Sequence, residues 1–356
     1  MTAADPKSLT LTNDDFAAIA GAYGHHFLNS HSHRKICCLE TNAGYKYLKK
    51  TNLSPQDLHF IQEALLYLDQ RGFQTAPLLD CSNHNEPYVI YKSNTYIMTN
   101  WYFSQELDFD SVTDLSQATR FLAKFHNKSI GFAPSREVQE RTLWLQWPQQ
   151  LDQRIKQMSV FRRLAALEKE SSEFSRLYLQ NFEPFYRQAI ASLEALSKSS
   201  YYEMAYEAAI QRQFCHHDYS GRNILRTQDL RLILVDFDYC LLDLRIHDLI
   251  NLLVRNLKHN QWQFDLGRFI LSEYNVINPL KETELEVMYI LLCWPQEFWQ
   301  VGLQYYEENL PWSKERFIKK LRHKIAYQHQ RLRFLDKFPS ENGLYDIPQI
   351  PSNVLA

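Results

Sequence analysis

The residues best able to do chemistry lie together in one stretch, FCHHDYSGRNILRTQDLRLILVDFDY, from Phe214 to Tyr239. His216, Asp218 and Asn223 stand as H-x-D-x-x-x-x-N, and Asp236 and Asp238 follow. A carboxylate can take a proton from a hydroxyl. An amide oxygen and further carboxylates offer hard oxygen ligands to Mg²⁺. Phosphoryl transfer requires that set of groups.

Position matters as much as type. Asn223 to Arg226 reads as a short strand, Thr227 to Asp229 as a turn, and Leu230 to Val235 as a second strand that delivers Asp236 at its end. The carboxylates and the amide then sit at the mouths of a β-hairpin. His216 reads as a packed, hydrogen-bonded support for the loop. Asp243 and Asp248 read as braces for the helix that follows.

Stepping outward along the chain, Asp14 to Tyr23 predicts a short helix with acids in its first turn. Gly24 to His33 is polar and reads as a loop, its histidines as solvated turn residues. Arg34 to Glu40 and Tyr45 to Lys50 predict strands around an Asn42-Ala43-Gly44 turn. On the second strand Tyr47 and Lys49 share a face. Ser54-Pro55-Gln56-Asp57 is a helix start with a capping serine and an acid three residues on. Glu63 lies about 140° round this helix from Leu58, off the apolar stripe. Tyr88 to Tyr91 and Thr95 to Met98 predict a further hairpin, and Trp101 to Asp110 a connector.

Beyond the connector the pattern is helical almost throughout. Helices are expected within 115–129, 143–196, 202–211, 247–258, 264–274, 282–292, 296–306 and 314–336. The expected organisation is an α+β protein. A small antiparallel β-sheet lobe with one packed helix covers 1–100, and a hinge covers 101–110. A mostly helical lobe covers 111–340 with a catalytic loop at 214–238, and a tail covers 341–356.

Composition excludes several classes. With 39 basic and 41 acidic residues no global field favours nucleic acid or an anionic membrane. Met1 to Lys7 contains no apolar stretch of the secretory kind, and no apolar run approaches a membrane span. The six cysteines form no C-x-x-C pair, so buried thiols are expected rather than a zinc site. Aromatic residues reach 14%, which suits broad helix-packing surfaces.

These residues resemble the protein-kinase-like fold in the form of the aminoglycoside and choline phosphotransferases. The run Asp236-Phe237-Asp238 takes the place of the kinase Asp-Phe-Gly. They are similar, more narrowly, to the CotS-type spore coat family over roughly residues 15–335. The resemblance is carried by FLAKFH from Phe121 to His126 with SIGF from Ser129 to Phe132, and by Cys215-His-His-Asp218. It continues through VDFDYC from Val235 to Cys240, DLRIHDL from Asp243 to Leu249, and WPQEFW from Trp294 to Trp299 with Tyr305-Tyr306.

The resemblance implies roles. Asp218 orients or deprotonates an acceptor hydroxyl. Asn223 and Asp236 hold Mg²⁺, assisted by Asp238. Lys49 pairs with the phosphates of ATP, with Lys46 and Lys50 as alternatives, and Glu63 orients that lysine. Met98 to Tyr102, including Trp101, forms the hinge along which adenine lies. It implies ATP and Mg²⁺ as cofactors, a hydroxyl-bearing small molecule or a coat component as acceptor, and other spore coat proteins as partners. It also implies a protein made in the mother-cell cytoplasm of an endospore-forming bacterium and deposited in the spore coat. The alternative is a structural coat component with no turnover. One departure stands out. Leu28 to Arg34, where kinases carry a glycine-rich loop over the phosphates, contains no glycine.

Overall fold

The computed structural model describes residues 11–33, 36–136, 138–170, 172–308, 310–344 and 350. The expected tail at 341–356 falls largely outside them. Thr12 starts α1 (Asn13–Ala22) through a reciprocal cap. Its side chain accepts from the Asp15 N–H, and the Asp15 carboxylate accepts from the Thr12 N–H. Strands β1 (Phe27–His33), β2 (Ile36–Thr41), β3 (Gly44–Thr51), β4 (Val89–Tyr91) and β5 (Asn94–Asn100) form an antiparallel sheet in the order β1-β2-β3-β5-β4. The β4–β5 turn places Lys92 and Ser93 at φ 46° and 60°. Two consecutive left-handed residues match the twist of a tight hairpin.

The sheet's core holds Phe16, Ile19 and Tyr23 from the α1 region against Leu39, Leu48 and Met98. Helix α2 (Pro55–Gln70) begins at the expected Ser54 cap, reciprocated by Asp57. Gln62 on α2 brackets Leu79, donating to its carbonyl and accepting from its N–H, each at 3.1 Å.

Two corrections concern strands. The polar stretch expected to be a loop forms β1. It is an edge strand, and backbone hydrogen bonds to β2 along one side are enough to hold it. The expected connector contains β6 (Ser104–Glu106), which pairs with β7 (Ile224–Thr227). β7 in turn pairs with β8 (Leu232–Leu234). The central hairpin thus supplies two strands of a three-stranded sheet, with β7 in the middle. Helix α3 (Val112–Ser129) follows β6 in the chain.

The chain divides into two compact units, Met1–Thr142 with Arg212–Leu241, and Leu143–Gln211 with Leu242–Ala356. The first carries both sheets and the catalytic loop. The second is helical: α4 (Trp147–Glu168), α5 (Glu173–Lys198), α6 (Tyr201–Gln211), α7 (Ile246–His259), α8 (Phe264–Asn275), α9 (Glu282–Cys293), α10 (Gln296–Tyr306), α11 (Lys314–Ala326) and α12 (Gln328–Glu341). Its core explains the aromatic content. Phe298 stacks between Tyr178 and Phe185 at 4.5 and 4.3 Å, and Phe174 stacks on Tyr305 at 3.9 Å.

The single helix expected over 314–336 is two helices, because Tyr327 leaves helical geometry at ψ 4°. The break re-aims α12 so that buried Arg331 donates to the carbonyls of Leu292, Cys293 and Trp294 at the end of α9. Cys37, Cys38, Cys215, Cys240 and Cys293 are buried free thiols, and Cys81 is exposed. Among the described residues no helix is long and apolar enough to cross a membrane.

Candidate functional site

The catalytic loop is held by its own backbone and by two side chains. His216 is fully buried, with its ring 4.8 Å from that of Phe237. Its Nδ1 accepts from the Asp218 N–H at 3.3 Å, so Nε2 carries the proton and donates to the Val235 carbonyl at 3.0 Å. The expected supporting role matches this placement. Asn223 donates from Nδ2 to the Asp218 carbonyl at 2.9 Å and to its Oδ2 at 3.1 Å. That leaves the Asn223 Oδ1 as an available oxygen ligand. The Val235 N–H donates to the Asn223 carbonyl at 2.9 Å, tying the two ends of the hairpin together.

The loop also carries strain. His217 and Asp236 adopt left-handed backbone at φ 65° and 67°. Non-glycine residues hold such angles where the surroundings fix them, which is common at functional sites. Gly221 is required by close approach, since a Cβ there would lie 2.7 Å from the Leu107 carbonyl oxygen.

Lys49 projects from β3 on the face it shares with Tyr47. Its Nζ donates to Asp236 Oδ1 at 2.7 Å and to Asp238 Oδ2 at 2.8 Å. Of the three candidate lysines, Lys49 is the one that meets the hairpin aspartates. Lys46 is buried on the opposite face against Asp80 and Asn100, each at 2.8 Å, and Lys50 is exposed. Burial opposes the charge on Lys49, but Asp238 and Asp236 outweigh it and hold its pKa above the ordinary lysine value. Burial dominates at Asp238 and raises its pKa despite Lys49. A carboxyl with a raised folded-state pKa favours its proton. Its contribution to stability is present at acid pH and is lost as pH rises through the raised value.

One sequence expectation is corrected here. Glu63 does not reach Lys49. Its carboxylate accepts from the Ser135 N–H at 2.7 Å and from the Ser135 hydroxyl. Met98 pairs in register with Leu48, so its side chain points into the sheet core, away from Lys49. Its carbonyl is taken by the Asp80 N–H at 2.7 Å. Ile97 and Thr99 pair with Lys49 and Tyr47 and occupy the Lys49 face. Trp101 lies 6.4 Å from the Tyr47 ring, and its buried Nε1–H has no partner among the described residues.

The sequence reading missed Arg141. This buried residue donates from Nε to Asp57 Oδ1 at 2.6 Å. Its Nη1 donates to the carbonyls of Asp238 at 3.1 Å and Cys240 at 2.8 Å. It therefore links the first turn of α2 to the Asp-Phe-Asp loop, where Glu63 was expected to make the link through Lys49. Its polar surroundings, Ser135 to Arg141, carry no periodicity that marks it. Removing one partner of a buried pair destabilises by roughly 3–5 kcal/mol. Because Asp57 is partly exposed, Arg141→Met is expected near the lower end, a fall of roughly 3–6 °C in thermal midpoint. Glu63→Gln is expected to change the midpoint little. Thermal denaturation of both proteins checks this, and a larger loss in the Glu63 protein contradicts it.

Chemically, two carboxylates meet one ammonium, and the linked Asp218 carboxylate and Asn223 amide belong to the same loop and hairpin. The donor set is hard oxygen throughout, as a magnesium–phosphate site requires. Among the described residues the unpartnered Trp101 Nε1–H and the Asn223 Oδ1 are polar groups that a ligand can satisfy.

Comparison with known proteins agrees with this fold. The family described as "Spore coat putative kinase YutH" matches residues 18–338. "Spore coat protein S" of Bacillus subtilis (strain 168) is 25% identical over 320 residues, which cover 86% of this chain and 88% of that protein. An aminoglycoside phosphotransferase from Alicyclobacillus acidocaldarius subsp. acidocaldarius DSM 446 superposes with TM-score 0.80 at 18% identity, covering 96% of this chain and 99% of that one. Spectinomycin phosphotransferase APH(9)-Ia, in complex with ADP and spectinomycin, superposes with TM-score 0.60 at 11% identity, covering 94% and 100%. The expected kinase-like phosphotransferase fold is thereby shown.

Proposed function

We propose that this chain, which belongs to the spore coat family "Spore coat putative kinase YutH", is an ATP- and Mg²⁺-dependent phosphotransferase of the spore coat acting on a hydroxyl group. The observation that carries the reading is the meeting of Lys49 with Asp236 and Asp238 at 2.7 and 2.8 Å, beside an Asp218 whose carboxylate is fixed by Asn223. Nucleotide-bound relatives of the same fold support the choice of ligand.

Each residue then has a task. Asp218 accepts the proton of the acceptor hydroxyl as its oxygen attacks the γ-phosphorus. The bond from that phosphorus to the β,γ-bridging oxygen breaks, and ADP departs. Asn223 Oδ1, Asp236 and Asp238 would hold the metal. When bound, Mg²⁺ neutralises phosphate charge. Lys49 exchanges its carboxylate partners for phosphate oxygens. The Trp101 Nε1–H offers a donor at the nucleotide end. No glycine-rich loop covers the phosphates, and the β1–β2 hairpin takes that place in the sequence. The acceptor is a small molecule or another coat component, and other coat proteins are the partners. Synthesis in the mother cell before deposition follows from a place in the coat.

The test is ADP release from MgATP in the presence of fractionated coat extract. Metal-dependent release that EDTA abolishes is expected. Release at the buffer rate with every fraction favours the alternative, a structural coat component that keeps the fold without turnover.

A further inference from the structure

The helical unit carries a second group of polar side chains that the phosphotransferase reading does not use. On α4, Gln150, Gln153, Arg154 and Gln157 follow the i, i+3, i+4, i+7 spacing of one helix face. A face turned toward a neighbouring helix is ordinarily apolar. On this one Arg154 and Gln157 meet Trp299 of α10, while Gln153 is exposed. Together with Lys156 and Trp299, these residues line an open groove of about 660 Å³, within the size range of small-molecule sites, about 300–1,000 Å³.

The polar groups are ordered by one another. The Arg154 guanidinium lies over the Trp299 ring, 4.4 Å from its centroid, and Nη1 donates to Gln296 Oε1 at 2.9 Å. The Trp299 Nε1–H donates to Gln157 Oε1 at 2.9 Å, and Gln157 Nε2 donates to Glu307 Oε2 at 3.1 Å. Asp152 is engaged by Lys156 at 2.7 Å. Among the described residues no carboxylate lies within ion-pair distance of Arg154. Burial lowers its pKa to about 10, and no acid counteracts that effect.

Arg154 is only partly covered, and a partly desolvated cation without an anion is unfavourable unless something supplies one. For joining α4 to α10 alone, an aliphatic side chain on Trp299 avoids that penalty. A planar fork with donors to spare, held flat by an indole, suits bidentate binding of a carboxylate or phosphate. The flanking glutamine amides both donate and accept, as hydroxyl groups do. No aliphatic side chain lines the groove, which disfavours an apolar ligand.

We propose that this groove binds an anionic sugar, with Arg154 on the carboxylate or phosphate and Gln150 and Gln153 on the hydroxyls. The site is independent of nucleotide and of the phosphotransferase reading.

Calorimetric titration of the full chain without nucleotide tests it, using glucose 6-phosphate, glucuronate, glucose and inorganic phosphate as probes. At least one anionic sugar is expected to bind below about 1 mM, with glucose at least tenfold weaker. Arg154→Met is expected to weaken that binding at least tenfold, and Arg154→Lys by a smaller factor. Exposed Gln153→Ala weakens the sugar probe while leaving inorganic phosphate unchanged. If Arg154→Met fails to fold, Arg154→Lys and Gln153→Ala carry the test. Glucose 6-phosphate against glucuronate decides between phosphate and carboxylate. No binding of either anionic sugar at 10 mM overturns the site. So does unchanged binding in the Arg154 variants. Inorganic phosphate binding as tightly as both sugars, with no effect of Gln153→Ala, overturns the sugar assignment.

Discussion

In Asp236→Asn protein, MgATP no longer raises the thermal midpoint that it raises in the wild type. A ligand that binds only the folded state at a hundredfold excess over its Kd stabilises by about 2.7 kcal/mol. At roughly 1–2 °C per kcal/mol for a chain of 356 residues this gives a rise of about 3–5 °C. The substitution removes one charged oxygen from the metal site and leaves Lys49 paired to Asp238. Asparagine also tolerates the left-handed backbone at φ 67°, so the ligand-free midpoint is expected to hold. Asp236→Ala gives the same loss of response and additionally lowers the ligand-free midpoint, because alanine is strained at that angle. A full MgATP response in the asparagine protein rules out Asp236 as a metal ligand.

Asp218→Asn is expected to separate binding from chemistry. The amide keeps an oxygen that can accept from Asn223 Nδ2, so the loop and MgATP binding persist. What disappears is the group that takes the hydroxyl proton, a loss of about 10²–10⁴ in transfer rate. The protein is also expected to enter the coat at the wild-type level. ADP release and the amount of protein in purified spores are the two readouts. Normal transfer by the asparagine protein removes Asp218 from the mechanism. Normal transfer-dependent spore properties with no measurable transfer in either protein favour the structural alternative.

The hairpin site was legible because short-range patterns specify it. His216, Asp218, Asn223 and Asp236 lie in a short stretch flanking one strand–turn–strand unit, and alternation on β3 placed Lys49 on one definite face. Met98 was placed at a hinge by resemblance alone, and its position in the sheet core came only with the pairing of β5 to β3. Glu63 shows a different limit. Its angle on α2 put it off the apolar stripe, yet angle alone could not choose between Lys49 and Ser135 as its partner. Arg141 was invisible for a third reason, because its contacts join Asp57 to Asp238 and Cys240 across long sequence separations. Strands β1 and β6 were missed because backbone pairing, rather than side-chain burial, holds an edge strand.

The most direct test of a nucleotide–metal site built on Lys49, Asn223, Asp236 and Asp238 is the thermal midpoint of the wild-type chain with ATP, with and without Mg²⁺. A rise of several degrees that requires both is the predicted result. An unchanged midpoint at millimolar MgATP contradicts it.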